Sequence, residues 1–155
     1  MKIISFTERE NQVKFAVRKY SIHKSLSKLG VNFEYLGPPS KFTLFKASRA
    51  SFRNIRRLLQ IRRKNNNTWL HFDNSVSPFF LKTVKLLTGC RIYIDVRDNQ
   101  NKQAEAYKIN LDEQTKMKRE RAMLQNVRDS DLYTVTSQTQ KLSYPSFFQS
   151  KITVI

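Results

Sequence analysis

The sequence predicts an α/β fold built on a mostly parallel sheet with helices on both faces. Three observations carry that expectation. Short apolar runs alternate with helix-period segments almost throughout the chain, the pattern of successive strand–helix–strand units. The right-handed crossovers that join parallel strands then wind the sheet in the Rossmann-like, doubly wound manner. The 155 residues, of which 39% are hydrophobic, suit one domain spanning 1–155 and are short for two.

The elements follow in order. Residues 2–7 read as a short buried strand. Phe15, Ile22, Leu26 and Leu29 recur at helical spacing, and Gly30 is placed to close that helix. Residues 31–36 alternate as a second strand, Gly37-Pro38-Pro39-Ser40 forms a turn, and residues 42–46 offer a third strand. A helix spans 48–64, capped by Ser48 and broken by Asn65-Asn66-Asn67. Residues 68–72 form the next strand. An apolar helix runs over 78–88, with Pro78 in its first turn and Gly89 past its end. Residues 91–96 are a strand. After a polar loop, Asn110 and Glu113 suggest a capping box for a helix that buries Met117, Leu124 and Val127. Glu120 falls on that same face, where a carboxylate needs a partner. Residues 132–136 form a strand, 137–148 hold a short helix interrupted near Pro145, and 152–155 form a last strand.

Composition narrows the function. A single cysteine, Cys90, excludes a disulfide scaffold and reads as a small core residue. No apolar run is long enough to span a membrane, and the patch after Met1 is too short for a signal peptide, so the expected compartment is the cytoplasm. Three glycines, Gly30, Gly37 and Gly89, are too few and too scattered for a phosphate-cradling glycine loop. Two histidines and one cysteine do not make a structural zinc site, and no metal is expected. The net charge is +17, and +13 of it belongs to residues 1–64. Such a field attracts nucleic acid, anionic lipid headgroups or phosphorylated substrates.

The 48–64 helix concentrates that field. At about 100° per residue, Phe52, Ile55, Leu58 and Leu59 share one side and Arg49, Arg53, Arg56, Arg57 and Lys64 the other, with Arg62 alone among the apolar set. The apolar stripe is expected to face the sheet and the arginines to point outward. There they are solvated, rest on anionic lipid, or track a nucleic-acid backbone. No aromatic residue interleaves with the outward arginines, which disfavours single-strand stacking.

In a doubly wound sheet, ligands bind beyond the carboxyl ends of the strands. The residues there are Thr7-Glu8, Asp73-Asn74-Ser75, Arg97-Asp98 and Ser137-Gln138. His71 reads as a buried, hydrogen-bonded side chain or a substrate contact. Asp73, Asp95 and Asp98 are the carboxylates that a magnesium-dependent nuclease would use, and Arg97 between the last two opposes a metal. No nucleophile–base set is evident, so no catalytic residue is assigned.

One further pattern concerns residues 91–155. Val96-Arg97-Asp98 ends a strand, a glutamate-bearing helix follows, Ser130-Asp131 leads into a strand ending Thr136-Ser137, and Lys151-Ile152-Thr153-Val154-Ile155 closes the chain. This succession resembles the N-terminal half of a GT-B-fold glycosyltransferase of the large retaining family. The family shows V-R-D, then A-D, then V-S, then V-I-P-N-G at the same points. Asn99-Gln100-Asn101 replaces the family's frequent L-W-P, and the loop Glu8-Arg9-Glu10-Asn11-Gln12 lacks its glycines. The resemblance implies an acceptor-binding half. It leaves the nucleotide-sugar donor to a C-terminal domain or partner subunit carrying an E-x7-E segment, and makes the acceptor a glycan or lipid-linked glycan. It further implies that Arg97 pairs with a phosphate or acceptor charge, and that Asp98, Asp73, Asn74 and Ser137 hydrogen-bond hydroxyls. The basic helix would dock such a domain on an anionic membrane. The alternatives are a non-catalytic nucleic-acid-binding domain and the metal-dependent nuclease.

Overall fold

The structure, a computed structural model, describes residues 1–6, 24–36, 49–63, 67–73, 76–96, 104 and 107–155. Six strands, β1 (Lys2–Ser5), β2 (Asn32–Tyr35), β3 (Thr68–Asp73), β4 (Arg91–Val96), β5 (Leu132–Val135) and β6 (Ile152–Val154), form an all-parallel sheet in the order β2-β1-β3-β4-β5-β6. The helices are α1 (Arg49–Arg63), α2 (Pro78–Thr88), α3 (Glu113–Asp129), α4 (Gln138–Leu142) and α5 (Ser146–Gln149). The α/β, Rossmann-like class expected from the sequence is the one observed. The chain divides into two compact units, Met1–Phe72 with Thr83–Arg91 and Asp73–Lys82 with Ile92–Ile155. No described helix is long and apolar enough to cross a membrane.

In the first unit, β1 pairs with β2 on one side and β3 on the other, with Ser5 opposite both Tyr35 and His71. Because side chains alternate along a strand, Ile4 and Leu70 share one face of this sheet while Ser5 and His71 share the other. The ladder continues past the strand, where Phe6 N donates to His71 O at 2.8 Å and the Phe6 and Phe72 rings stack at 4.7 Å. Helix α1 belongs to the Ile4 face. Its Arg57 donates to Glu34 at 3.0 Å, and Arg57, Gln60 and Ile61 line a small pocket of about 150 Å³ with Lys2, Ile4, Glu34 and Thr68.

The buried side of α1 is only in part the one that periodicity selects, with Leu58 buried and Ile55 half-buried as expected. Ser51 and Leu58 are buried, whereas Phe52 is 82% exposed and Leu59 41%. The small Ser51 occupies the inner line, which turns Phe52 and Leu59 outward. Arg53, Arg56 and Arg57 are exposed as expected, and Arg62 is exposed too. Asn67, in the left-handed region at φ 65°, turns the chain from α1 into β3. The preceding helical stretch covers residues 24–28 and closes at Gly30, as expected. Leu29 lies in its closing turn and is exposed, and Gly30 takes φ 79°. The expected strand at 42–46, the Ser48 cap, and Phe15 and Ile22 lie outside the described residues.

In the second unit, β4, β5 and β6 pair in parallel, with Asp95 opposite Thr134 and Thr134 opposite Thr153. Asp131 holds the start of this ladder at two points. Its Oδ2 accepts from Ile92 N at 2.7 Å, and its own N–H donates to Ile92 O at 2.9 Å. Asn126 of α3 is buried and donates to Val76 O at 2.9 Å. The cap of α3 corrects the expected box. Asp112, not Asn110, is the cap residue, and its carboxylate accepts from both Thr115 N and Thr115 Oγ1 at 2.7 Å. Only Asn126 and Val127 of α3 are buried, so Met117 and Glu120 lie exposed and Glu120 needs no buried partner. Helix α2 matches its expected bounds, with Pro78 first and Gly89 following at φ 64°. Cys90 is buried, and that burial pushes its thiol pKa up.

Two predictions follow from these placements. Leu58→Ala is expected to cost about 3 kcal/mol in urea unfolding, because it empties a fully buried site. Phe52→Ala, on the exposed side of the same helix, is expected to cost less than about 0.5 kcal/mol. Equal losses would contradict the observed rotation of α1. Glu34 supplies the second. The Lys2 hydrogen bond lowers its pKa, burial opposes that, and Arg57 lowers it further. A carboxylate with a depressed folded pKa stabilises the fold above its unfolded value, and that contribution disappears as pH falls through the folded value. Glu34→Gln is therefore expected to flatten the acid limb of a stability–pH curve and leave its slope near neutrality unchanged.

Candidate functional site

The winding of the sheet locates the first candidate region. From β1 the chain crosses to β2 on one side and later returns to β3 on the other, so the direction of winding reverses at β1 and β3. In open α/β sheets, the crevice beyond the carboxyl ends at such a reversal is the usual ligand position. In the first unit those ends carry Ser5 and His71. Ser5 Oγ and His71 Nδ1 share a hydrogen bond of 2.9 Å, and both side chains are buried. His71 is thus the buried, hydrogen-bonded histidine expected from the sequence, held by a serine 66 residues away. Sequence reading missed Ser5, since only the parallel register of β1 with β3 brings the two together. Asp73 ends β3 and is half-buried. Asn74, Arg97 and Asp98 lie outside the described residues.

The second unit places other groups at its strand ends. Asp95 is 3% exposed, and its Oδ1 accepts from Thr134 Oγ1 at 2.8 Å. The Tyr93 hydroxyl stands 3.4 Å from the same Thr134 oxygen. A hydroxyl is therefore built in beside this buried carboxylate, in keeping with the rule that buried polar groups are hydrogen-bonded. Beyond β5, Ser137 caps α4 by accepting from Gln140 N at 3.1 Å. The Gln140 amide oxygen in turn accepts from Thr136 N at 3.0 Å and Thr136 Oγ1 at 2.9 Å. The expected Ser137 is thus at a strand end, with its hydroxyl engaged in closing a turn. Tyr133 and Tyr144 meet edge to face with their hydroxyls 3.1 Å apart, and burial raises both phenol pKa values.

Among the described residues, no group of three His, Cys, Asp or Glu side chains is placed to hold a metal ion. Of the nuclease trio, Asp95 is buried and hydrogen-bonded to Thr134 on the neighbouring strand, and Asp98 lies outside the described residues. Of the basic candidates, Arg53 and Arg56 face solvent, Arg57 pairs with Glu34, Arg49 opens α1, and Lys64 lies outside the described residues. The carboxyl ends of β1 and β3 thus carry a hydroxyl and an imidazole, and those of β4 and β5 carry hydroxyl, amide and carboxylate groups. That chemistry suits a ligand rich in hydroxyls. The dense positive charge lies instead on α1, on the opposite sheet face from Ser5 and His71. Compared with family models, curated proteins and solved structures, the chain matches none.

The hydrogen bonds at β5 separate structural from ligand-binding roles. Thr134→Val leaves the buried Asp95 carboxylate without its hydroxyl donor and is expected to cost about 1–3 kcal/mol. Ser137→Ala removes a helix cap and is expected to cost about 1 kcal/mol. Urea unfolding measures both. An unchanged midpoint for Ser137→Ala would free that hydroxyl for ligand binding alone.

Proposed function

We propose that this chain is the acceptor-binding half of a nucleotide-sugar-dependent glycosyltransferase with a GT-B architecture. One coincidence of motif and topology carries the reading. Val96, Val135 and Val154 end three successive parallel strands, β4, β5 and β6. Arg97-Asp98, Thr136-Ser137 and Ile155, the residues of the family-like succession, therefore follow the strand ends at which an open α/β sheet binds its ligands. The hydroxyl, amide and carboxylate groups at these ends suit a glycan or lipid-linked glycan acceptor. In this reading Arg97 answers an acceptor phosphate, Asp73, Asn74 and Asp98 accept from sugar hydroxyls, and a separate donor-binding domain or subunit brings the nucleotide-sugar. Sugar transfer then takes place between the two halves. A cytoplasmic location goes with a buried thiol as the lone cysteine.

An amide-resolved NMR titration of the chain tests this. The probes are glucose, N-acetylglucosamine, their 1-phosphates and UDP-glucose, each at millimolar concentration. Saturable shifts at Val96 and Thr136 with a sugar or sugar phosphate are expected, with weaker effects from UDP-glucose. Silence at both positions with every probe would overturn the reading. Duplex DNA is the control for the nucleic-acid alternative, which requires tight binding that falls steeply as salt rises.

A further inference from the structure

The amino ends of β1 and β3 gather a set of polar side chains that the strand-end site does not use. Lys2 opens β1, Thr68 opens β3, and the two stand opposite each other in the parallel register. Ile4 stands opposite Glu34, so alternation puts Lys2, Thr68 and Glu34 on the α1 face with Ile4. There a cavity of about 150 Å³ lies between these strands and Arg57, Gln60 and Ile61 of α1. Glu34 spans its two cations. Oε2 lies 2.6 Å from Lys2 Nζ, and Oε1 accepts from Arg57 at 3.0 Å. Part of each of these three side chains is open to solvent, so a solute can reach the cavity.

Three features point to an anion. Two cations against one carboxylate leave the lining one positive charge in excess. Each oxygen of Glu34 engages a single cation, whereas an ammonium and a guanidinium each carry several N–H groups, so both keep donors to offer. Thr68 is 5% exposed and lines the cavity, and among the described residues its hydroxyl has no partner. Buried polar groups are ordinarily hydrogen-bonded. Water would satisfy the hydroxyl and leave the excess charge unanswered; an anion answers both. Size narrows the choice. At about 30 Å³ per water-sized group, the cavity takes about five heavy atoms, as in one tetrahedral oxyanion. A planar carboxylate presents its oxygens to one side. The donors here come from two walls, Lys2 and Thr68 from the sheet and Arg57 and Gln60 from the helix. A phosphate has oxygens facing both. A phosphodiester would have to lead a chain out in both directions.

We propose that this cavity is a binding site for inorganic phosphate or the terminal phosphate of a small monoester. Lys2 and Arg57 hold the anion from the two walls, and Gln60 and Thr68 donate to its remaining oxygens. Glu34 keeps the two cations in place and moderates the affinity. Ile4 and Ile61 complete the lining. The site is separate from the acceptor reading, since it lies at the amino ends of β1 and β3, on the opposite sheet face from Ser5 and His71.

The test is an amide-resolved NMR titration of the full chain with sodium phosphate, read at Ile4, Ile61, Thr68 and Leu70. Sodium chloride at matched ionic strength is the control. Saturable shifts in the low millimolar range are expected with phosphate and not with chloride. Dimethyl phosphate, a diester, is expected to bind at least about tenfold more weakly. Glycerol 3-phosphate separates the sources: binding like phosphate assigns the site to terminal phosphates, and exclusion assigns it to the free ion. Arg57→Gln, at an exposed side chain, is expected to lower affinity about tenfold. Thr68→Val keeps the branched shape and removes the hydroxyl. It is expected to lower affinity about fivefold, a loss that general attraction to a basic surface does not produce. Glu34→Gln is expected to raise affinity about threefold by removing the neighbouring negative charge. Phosphate is also expected to raise the urea midpoint of the wild-type chain and not that of Arg57→Gln. Shifts that sodium chloride reproduces, dimethyl phosphate binding as tightly as phosphate, or an affinity untouched by both Arg57→Gln and Thr68→Val would overturn the proposal. Sugars are read at Val96 and Thr136 and phosphate at Ile4 and Thr68, so failure of one reading leaves the other standing.

Discussion

The double pairing of β1 is the constraint on which the rest of the fold depends. This four-residue strand is hydrogen-bonded to β2 on one side and β3 on the other, so both of its backbone edges are used. A strand with partners on each edge and apolar residues on both faces cannot be left at the margin of a sheet. Parallel neighbours must then be reached through long crossovers, and the winding direction must change where β1 is left behind. In open α/β sheets such a change puts the candidate ligand position at the carboxyl ends of the strands, here β1 and β3. The candidate position is therefore a consequence of strand order before it is a matter of side chains. The Ser5–His71 hydrogen bond refines it by joining the two strands at their last paired residues.

Much of this order is legible in the residues themselves. Pro78 and Gly89 bound α2 for separate physical reasons. Proline fits the first helical turn without needing its missing N–H, and glycine accepts the left-handed φ of 64° that follows the last turn. Residues 91–96 form β4 as expected, because a strand buried on both faces needs no alternation. The outward turn of Phe52 was not legible. Helical periodicity assigns every apolar residue on a stripe to the core, but burial is decided by what the helix packs against. Here Ser51 and Leu58 lie on the inner line. Likewise, Asn110 and Asp112 both precede the third helix and both can cap. Asp112 prevails because its two carboxylate oxygens meet both the backbone and the hydroxyl of Thr115.

The candidate site was legible to a lesser degree. His71 could be read as buried and hydrogen-bonded from its place in an apolar run, but its partner could not, since Ser5 precedes it by 66 residues and only register unites them. Ser137 was legible as a strand-end hydroxyl. What the sequence did not supply is the competition for that hydroxyl. Ser137 accepts from Gln140 N, and Gln140 gathers Thr136, so the chain's own turn uses groups that a ligand would also seek. Asp131 shows the complementary case. It lies in the family-like Ser130-Asp131 pair, yet at the amino end of β5, where it holds Ile92 and so fixes the β4–β5 register. A residue can thus belong to a recurring motif by setting the frame on which the strand ends are presented.

The first unit separates two kinds of surface chemistry, and the separation bears on function. On one face of its strands, Ser5 and His71 form a buried, hydrogen-bonded pair. On the other, α1 carries guanidinium groups with one acid, Glu34, held by Lys2 and Arg57. A polyanion whose only anchor was charge would be drawn to α1 and would find no reason to prefer the strand ends. A small polyol would find hydrogen-bonding groups at the strand ends and little to hold it on α1. A molecule with an anionic lipid part and a sugar part would have use for both chemistries. Glu34 sharpens the division. By engaging Lys2 and Arg57 it draws two cations back toward the sheet, while Arg53, Arg56 and Arg62 remain exposed beside Phe52 and Leu59. The charge that remains outward is the charge that lies beside Phe52 and Leu59.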